Sequence, residues 1–259
     1  MDHGFSEITQ NDLPVKPWRA EALRRLPGIQ PLELTDWVWV DDVFARQMAY
    51  REHLLEYRPK EVLATCEGAG DAVEELLATL LAHLPSVEGY DVHKDGVQRP
   101  DGQFVPTDRW GAMETIGRLG QQDFCVLTKT GDEHVLQAAV LCFPASWCLD
   151  QKIGKPLGAI HIPVESYDTV QARKVQKMFD LMRPEQPLWR ANCLVYSDPD
   201  LFQPRREENK RSLQGDQRWV RVERQTLRKL PKTGAVVFGI HTSQVRMNTL
   251  SAKDVLAFG

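Results

Sequence analysis

A single imidazole sits inside a stretch made mostly of apolar and turn-forming residues. Leu141 to Tyr167 contains Cys142-Phe143-Pro144-Ala145-Ser146-Trp147, then Gly154-Lys155-Pro156-Leu157, then Ala159-Ile160-His161-Ile162-Pro163-Val164. Isoleucines flank His161, and Pro163 fixes the backbone two residues on while removing a donor. Such a segment can hold a neutral ring nitrogen in one orientation, which is what an axial haem ligand requires. A core histidine satisfied by a backbone carbonyl looks the same in sequence, because a lone histidine carries little specificity. Both readings are open on spacing alone.

A second feature is Glu223-Arg224, inside the alternating run Trp219-Val220-Arg221-Val222-Glu223-Arg224-Gln225-Thr226-Leu227. Neighbours on a strand point to opposite faces, so one of these two charges must face inward. A buried charge costs several kcal/mol unless it is paired, so the inward one requires a structural partner or a charged ligand. Val220 and Val222 share the parity of Arg224, which puts Arg224 inward and Arg221 outward. An inward guanidinium cannot deprotonate and must find an anion or a strong acceptor.

The elements around these residues read as helices first and strands second. The N-terminal forty residues form an arm, broken by Pro14, Pro17, Pro27 and Pro31, that docks Trp37 and Trp39 as a packing strap. Helices are expected from Asp41 or Asp42 to Tyr57, ended by Arg58-Pro59, and from Asp71 to Leu84, each with one apolar face. Tyr90 to Asp108 is turn-rich and reads as a loop with at most a short hairpin. A short helix around Trp110 to Leu119 follows.

From Asp123 the pattern becomes extended. Strands at Phe124–Leu127 and Val135–Phe143 flank the turn Thr130-Gly131-Asp132-Glu133. A short helix over Ser146–Ile153 ends at Gly154, and another is expected from about Thr169 to Arg183. Strands at Trp189–Tyr196, Trp219–Leu227 and Ala235–Thr242 complete an α+β fold. It has about five antiparallel strands, with two helices crossing between the first pair and the last three. The domain reading is an arm over residues 1–40 and a single α+β domain over 41–259.

Composition narrows the function classes. A chain of 259 residues with 42% hydrophobic and 26% charged residues can bury a full core. A net charge of -4 offers no basic field for nucleic acid. No apolar run approaches a membrane span, and Met1 to Gln10 is polar rather than the apolar core of a signal peptide. The five cysteines include no Cys-x-x-Cys pair, which argues against zinc and iron–sulfur ligation and against a disulfide framework. Without Cys-x-x-Cys-His, any haem would be non-covalent, and a cytoplasmic setting is expected. Gly68-Ala69-Gly70 lacks the third glycine and the Gly-Lys-Ser/Thr of nucleotide-binding loops and reads as a helix-entry turn.

Several ordered motifs together carry a family likeness. They are Arg58-Pro59-Lys60, Phe143-Pro144-x-x-Trp147, Lys152-x-Gly154-x-Pro156-Leu157 and Ile160-His161-x-Pro163-Val164. Further on come Arg183-Pro184-x-x-Pro187-Leu188-Trp189-Arg190-x-Asn192 and Arg221-x-Glu223-Arg224-Gln225-Thr226-Leu227-x-x-Leu230-Pro231-x-Thr233-Gly234. In this combination, spanning about Trp37 to Thr242, the chain resembles the haem-dependent oxidative N-demethylase family, and within it the haem-bearing α subunit.

The resemblance implies a PAS-like antiparallel sheet holding haem b, with His161 as the axial iron ligand and Arg224, Trp189 and Lys155 as further haem contacts. It implies oxidation of a small secondary or tertiary amine by O2 to an iminium, hydrolysed to a dealkylated amine and an aldehyde. A small cationic substrate also wants a compact apolar pocket with one or two polar anchors, for which Arg224, Glu223, Tyr196 and Asp198 are the candidate catalytic set, with Arg224 donating to a propionate or to oxygen. No flavin, nicotinamide or iron–sulfur motif is visible in the chain, so electrons must come from a partner protein or subunit, and the resemblance implies a reductase carrying FMN, an iron–sulfur centre and NADPH. Three positions depart from the family pattern. Glu165 stands where a second proline is usual, Cys193 where an aromatic is usual, and His241-Thr242-Ser243 where Arg-Thr-Tyr is usual. They fall where a substrate would be read. Two rival classes are a haem-PAS redox or gas sensor and a haem-free α+β binding protein. No heptad run or second domain supports the sensor.

Overall fold

The structure is a computed structural model that describes residues 4–5, 7–24, 28–161, 169–209 and 212–258, with only the backbone described at 161 and 169–172. The arm contributes α1 (Glu21–Arg24) and β1 (Gln30–Pro31). Then come α2 (Phe44–Tyr57), α3 (Pro59–Val62), β2 (Leu63–Thr65) and α4 (Gly70–His83). Three short strands follow, β3 (Asp91–Val92), β4 (Gly96–Gln98) and β5 (Phe104–Pro106), and then α5 (Ala112–Leu119). The main strands are β6 (Asp123–Thr130), β7 (Glu133–Val140), β8 (Leu188–Tyr196), β9 (Trp219–Lys229) and β10 (Val236–Arg246). Helices α6 (Leu157–His161) and α7 (Thr169–Leu181) lie between β7 and β8, and α8 (Ala252–Val255) comes last.

The principal sheet has seven strands in the order β1-β8-β9-β10-β6-β7-β2, all pairs antiparallel. Its five central strands are those the sequence pattern predicts. The β6–β7 hairpin turns at Gly131, whose φ of 62° is the left-handed geometry a two-residue turn needs. A shift of register between Val126 and Leu127 marks a bulge in this pair. The edge strands β1 and β2 were not anticipated, because two or three residues carry no alternation. For the same reason Tyr90–Asp108 read as a loop, whereas it holds the small sheet β3-β4-β5. The helix expected over Ser146–Ile153 is a single tight turn at Leu149–Gln151.

Both faces of the large sheet are covered. On one face Phe124, Val126, Val140 and Val237 pack with Trp37, Met48, Leu76 and Ile116 from the arm and α2, α4 and α5. Along β8–β9 this face continues as Ala191, Val220, Val222 and Val245 against Leu13 and Trp18 of the arm. On the other face Cys125, Leu127, Leu227 and Ile240 meet Leu157, Phe179 and Met182 of the α6–α7 region. Fully burying each such aliphatic side chain contributes about 1.5–3 kcal/mol, which is what holds α6, too short to be helical alone, against the sheet. No helix among the described residues is long and apolar enough to cross a membrane.

Candidate functional site

The two faces of β8–β9 separate the residues singled out from the sequence. In register, Asn192 pairs with Glu223 and Glu223 with Thr242, while Arg190 pairs with Gln225 and Gln225 with Ile240. All of these side chains therefore point to the α6–α7 face. Arg224 pairs with Ala191 and His241, so it points to the arm.

Glu223 is 5% exposed and sits within a charged network. Arg221 Nη2 donates to Glu223 Oε1 at 3.3 Å and to Thr242 Oγ1 at 3.4 Å, and Gln225 Nε2 donates to Glu223 Oε2 at 3.1 Å. Arg221 also donates from Nη1 to the Leu201 carbonyl at 2.9 Å and from Nη2 to the Phe143 carbonyl. This corrects the expectation that Arg221 faces outward. With helices on one face and the arm on the other, both parities of β9 are buried, and Arg221 is 1% exposed. Beside this network, Arg190 Nε is buried with no hydrogen-bond partner among the described residues. Burial lowers the Arg190 pKa, and the nearby Glu223 charge opposes that shift.

Tyr196 ends β8 on the same face, buried, with its Oη 3.1 Å from Ser146 Oγ. Ser146 has φ +65°, the one non-glycine residue with positive φ among the described residues. Such a conformation costs of order 1–3 kcal/mol and persists where the surroundings enforce it. Here Ser146 N donates to the Gln203 carbonyl at 3.1 Å, and Ala145 bridges to Gln203. Sequence reading passed over Ser146, although it lies between Pro144 and Trp147 of a shared motif.

The remaining residues go elsewhere. Arg224 is 3% exposed, lies 3.9 Å from the Trp39 ring and 5.7 Å from that of Trp189, and donates from Nη2 to the Asp36 carbonyl. Burial pushes its pKa down to about 10, opposed by the charge of Asp36. Trp189 thus accompanies Arg224 on the arm face rather than Glu223 on the other. Asp198 is exposed and builds its own loop, accepting from Asp200 N at 3.0 Å. Lys155 is exposed, and its carbonyl accepts from Leu136 N at 3.1 Å. The buried cation of that motif is Lys152, which donates from Nζ to the Ile160 carbonyl of α6 at 2.7 Å and to Glu207 at 2.6 Å.

The backbone of His161 ends α6, on the Glu223 side of the sheet. Its side chain and the following residues 162–168, with Pro163 and Glu165, lie outside the described residues. No group of three or more histidine, cysteine or acidic side chains suited to a metal ion occurs among the described residues.

What the structure assembles is therefore a polar patch on β8–β9, built of Arg190, Asn192, Glu223 and Gln225, with the Tyr196–Ser146 pair at its end. The helix ending in His161 lies on the same side of the sheet, packed against β7. A carboxylate, a cation with a spare donor and a hydroxyl pair can together bind a small charged molecule and move a proton. No curated protein matches the chain. The sequence model of a family described as haem-dependent oxidative N-demethylase, alpha subunit-like, matches residues 28–257. That match takes in the sheet, α6 and every residue of the polar patch, and the chain belongs to the haem-dependent oxidative N-demethylase alpha subunit-like family.

Proposed function

We propose that this chain is the haem-carrying component of an oxidative N-demethylase, converting a small secondary or tertiary amine, O2 and reducing equivalents into a dealkylated amine and an aldehyde. The observation that carries this reading is the charged patch on β8–β9, on the side of the sheet that also carries α6 and α7, in a chain matched to that family over residues 28–257. The five central strands run second-first-fifth-fourth-third with α6 and α7 crossing between second and third, an order that supports the PAS-like reading. The residues fit haem b. Arg190 brings a buried N–H, unpartnered among the described residues, that would suit a propionate, and His161 would bring an imidazole for the iron. When bound, haem supplies the oxygen-activating iron.

The protein's own groups do the rest. Glu223 is held by Arg221 and Gln225 with its charge turned to this face, where it would hold a cationic amine. Asn192, its cross-strand partner, adds an amide beside it. The Tyr196–Ser146 pair offers a hydroxyl relay able to pass a proton at the Tyr196 oxygen. Electrons would come from a partner reductase bearing FMN, an iron–sulfur centre and NADPH. The free cysteines at 66, 125, 142, 148 and 193 suit a cytoplasmic setting.

The test begins with an absorption spectrum of the purified protein supplied with haem. A Soret band is expected, and His161→Ala should shift it or abolish haem retention. Amine-dependent O2 consumption with a surrogate reductant, releasing aldehyde, should follow. Absence of haem retention would leave a haem-free binding protein, and haem without amine turnover would leave a sensor.

A further inference from the structure

Among the described residues, the arm face of the sheet holds two arginines with no ion-paired carboxylate, Asp36 acting on one of them only through its charge. Four arginines are buried: Arg51, Arg99, Arg221 and Arg224. Three have carboxylates. Arg51 meets Asp123 at 2.5 Å, Arg99 meets Glu52 at 2.7 Å and Asp101 at 2.6 Å, and Arg221 meets Glu223 at 3.3 Å. Arg224 has only the Asp36 carbonyl and the faces of Trp39 and Trp189, and its Nε and Nη1 are buried without a partner. Arg228, four residues along the same face of β9, repeats the pattern. Its guanidinium lies 4.2 Å from the Trp37 ring, and its Nε and Nη1 are likewise buried and unpartnered. Burial lowers the pKa of Arg228, yet an arginine cannot escape burial by losing its proton.

Other donors collect at the same place. Between the two arginines lies Thr226, whose Oγ1 has no partner among the described residues. Opposite it Gly239 carries no side chain, and a Cβ there would stand 2.6 Å from Thr226 Oγ1 and 3.0 Å from Gln122 Nε2. Both polar atoms of the Gln122 amide are buried and unpartnered, as is Trp37 Nε1. Trp37 and Trp39 are two residues apart, at most about 7 Å along the arm, and their rings lie against Arg228 and Arg224 respectively. Asp41, half-buried on this side, is already taken up by His241, Gln10 and Gln121, and the buried Glu75 of α4 by the amides of Lys232 and Thr233.

We propose that this cluster is an anion site, seating one small oxyanion between Arg224 and Arg228 over Thr226, beneath Trp37 and Trp39. Two guanidinium groups with spare N–H donors and an adjacent hydroxyl and amide match the acceptors of a phosphate, sulfate or compact dicarboxylate. The site is separate from the Glu223 patch, because the sheet lies between them.

The test is isothermal titration of the dialysed full-length chain with inorganic phosphate, sulfate and malonate, against sodium chloride at matched ionic strength. Saturable binding of at least one oxyanion with Kd below about 1 mM is expected, with none for chloride. Arg228→Gln, at the less buried of the two positions, should weaken it at least about tenfold, and Arg224→Leu more if it folds. Phosphate or sulfate binding without malonate identifies a tetrahedral ligand, and the converse a carboxylate; either supports the site. No saturable binding by any of the three, or equal binding by Arg228→Gln, overturns it. Loss of the Soret band in folded Arg228→Gln overturns it too, by assigning these arginines to haem.

Discussion

At the scale of single residues, burial asks different things of different charges. Glu223 is satisfied by Arg221 and Gln225, whereas its neighbour Arg224 makes do with a carbonyl and two indole faces. Asp41 shows a carboxylate for which hydrogen bonds outweigh desolvation. Burial alone would raise its pKa, but hydrogen bonds from His241 at 3.0 Å, Gln121 at 2.6 Å and Gln10 at 2.8 Å, with the charge of His241, hold it down at about 2. A carboxyl whose pKa is depressed on folding contributes stability above its ordinary value of 3.8 and loses it as the pH falls toward 2. Asp41→Asn should therefore cost about 2 kcal/mol at neutral pH, and the gap to the unsubstituted chain should close as the pH drops from about 4 toward 2. Urea unfolding of both proteins across that range measures it. A gap that stays constant would place the loss in packing instead of charge.

At the scale of elements, α6 depends on a contact from outside itself. Five residues do not sustain a helix in water. Lys152, 6% exposed, closes the carbonyl of Ile160 just before His161 and is itself neutralised by Glu207. Lys152→Met should release the end of α6. If His161 holds haem, the variant should lose haem about tenfold faster, with global stability changed by less than about 1 kcal/mol. Lys155→Met, at an exposed position, should do neither. Timed loss of the Soret band to a haem acceptor reads this out, and indistinguishable rates for the two variants would show that α6 needs no such anchor.

Much of this scale was legible in sequence. The five long strands and the helices α2, α4, α5 and α7 follow from apolar periodicity and turn residues. Strands of two or three residues did not, since so short a segment has no period to read. On β9 the parity argument correctly put Glu223 and Arg224 on opposite faces. It then took the valine-bearing face for the one shared with His161. In the fold that face lies under the arm, because both sides of the sheet are covered, and parity alone does not tell which cover carries the site. Lys152 and Ser146 were missed because a lysine or serine inside a motif gives no sign of being buried or strained.

At the scale of the whole molecule, side chains of the arm enter the main core. Ile8, Leu32, Trp37 and Val38 belong to the main core cluster, with Ile8 and Trp37 fully buried. Gln10 runs beside the free half of β10, exchanging Gln10 N to the Gln244 carbonyl at 2.9 Å and Gln244 N to Gln10 Oε1 at 2.7 Å. At the far edge β1 pairs with β8, and Leu32 N donates to the Pro187 carbonyl at 2.9 Å. Trp18 and Arg19 hold Asp254 near the C-terminal end. Losing each buried large apolar group costs about 2–5 kcal/mol, against a total stability of about 5–15 kcal/mol for a typical domain. Removing the arm would also expose Arg224, Arg228 and the valines of β9 together. A chain of residues 41–259 alone should therefore lack native packing, with a weak near-ultraviolet dichroism signal and a broad urea transition, while keeping much of its helix signal. A truncated chain that unfolds sharply with the native near-ultraviolet signal would show instead that the arm is a strap laid over a domain already complete.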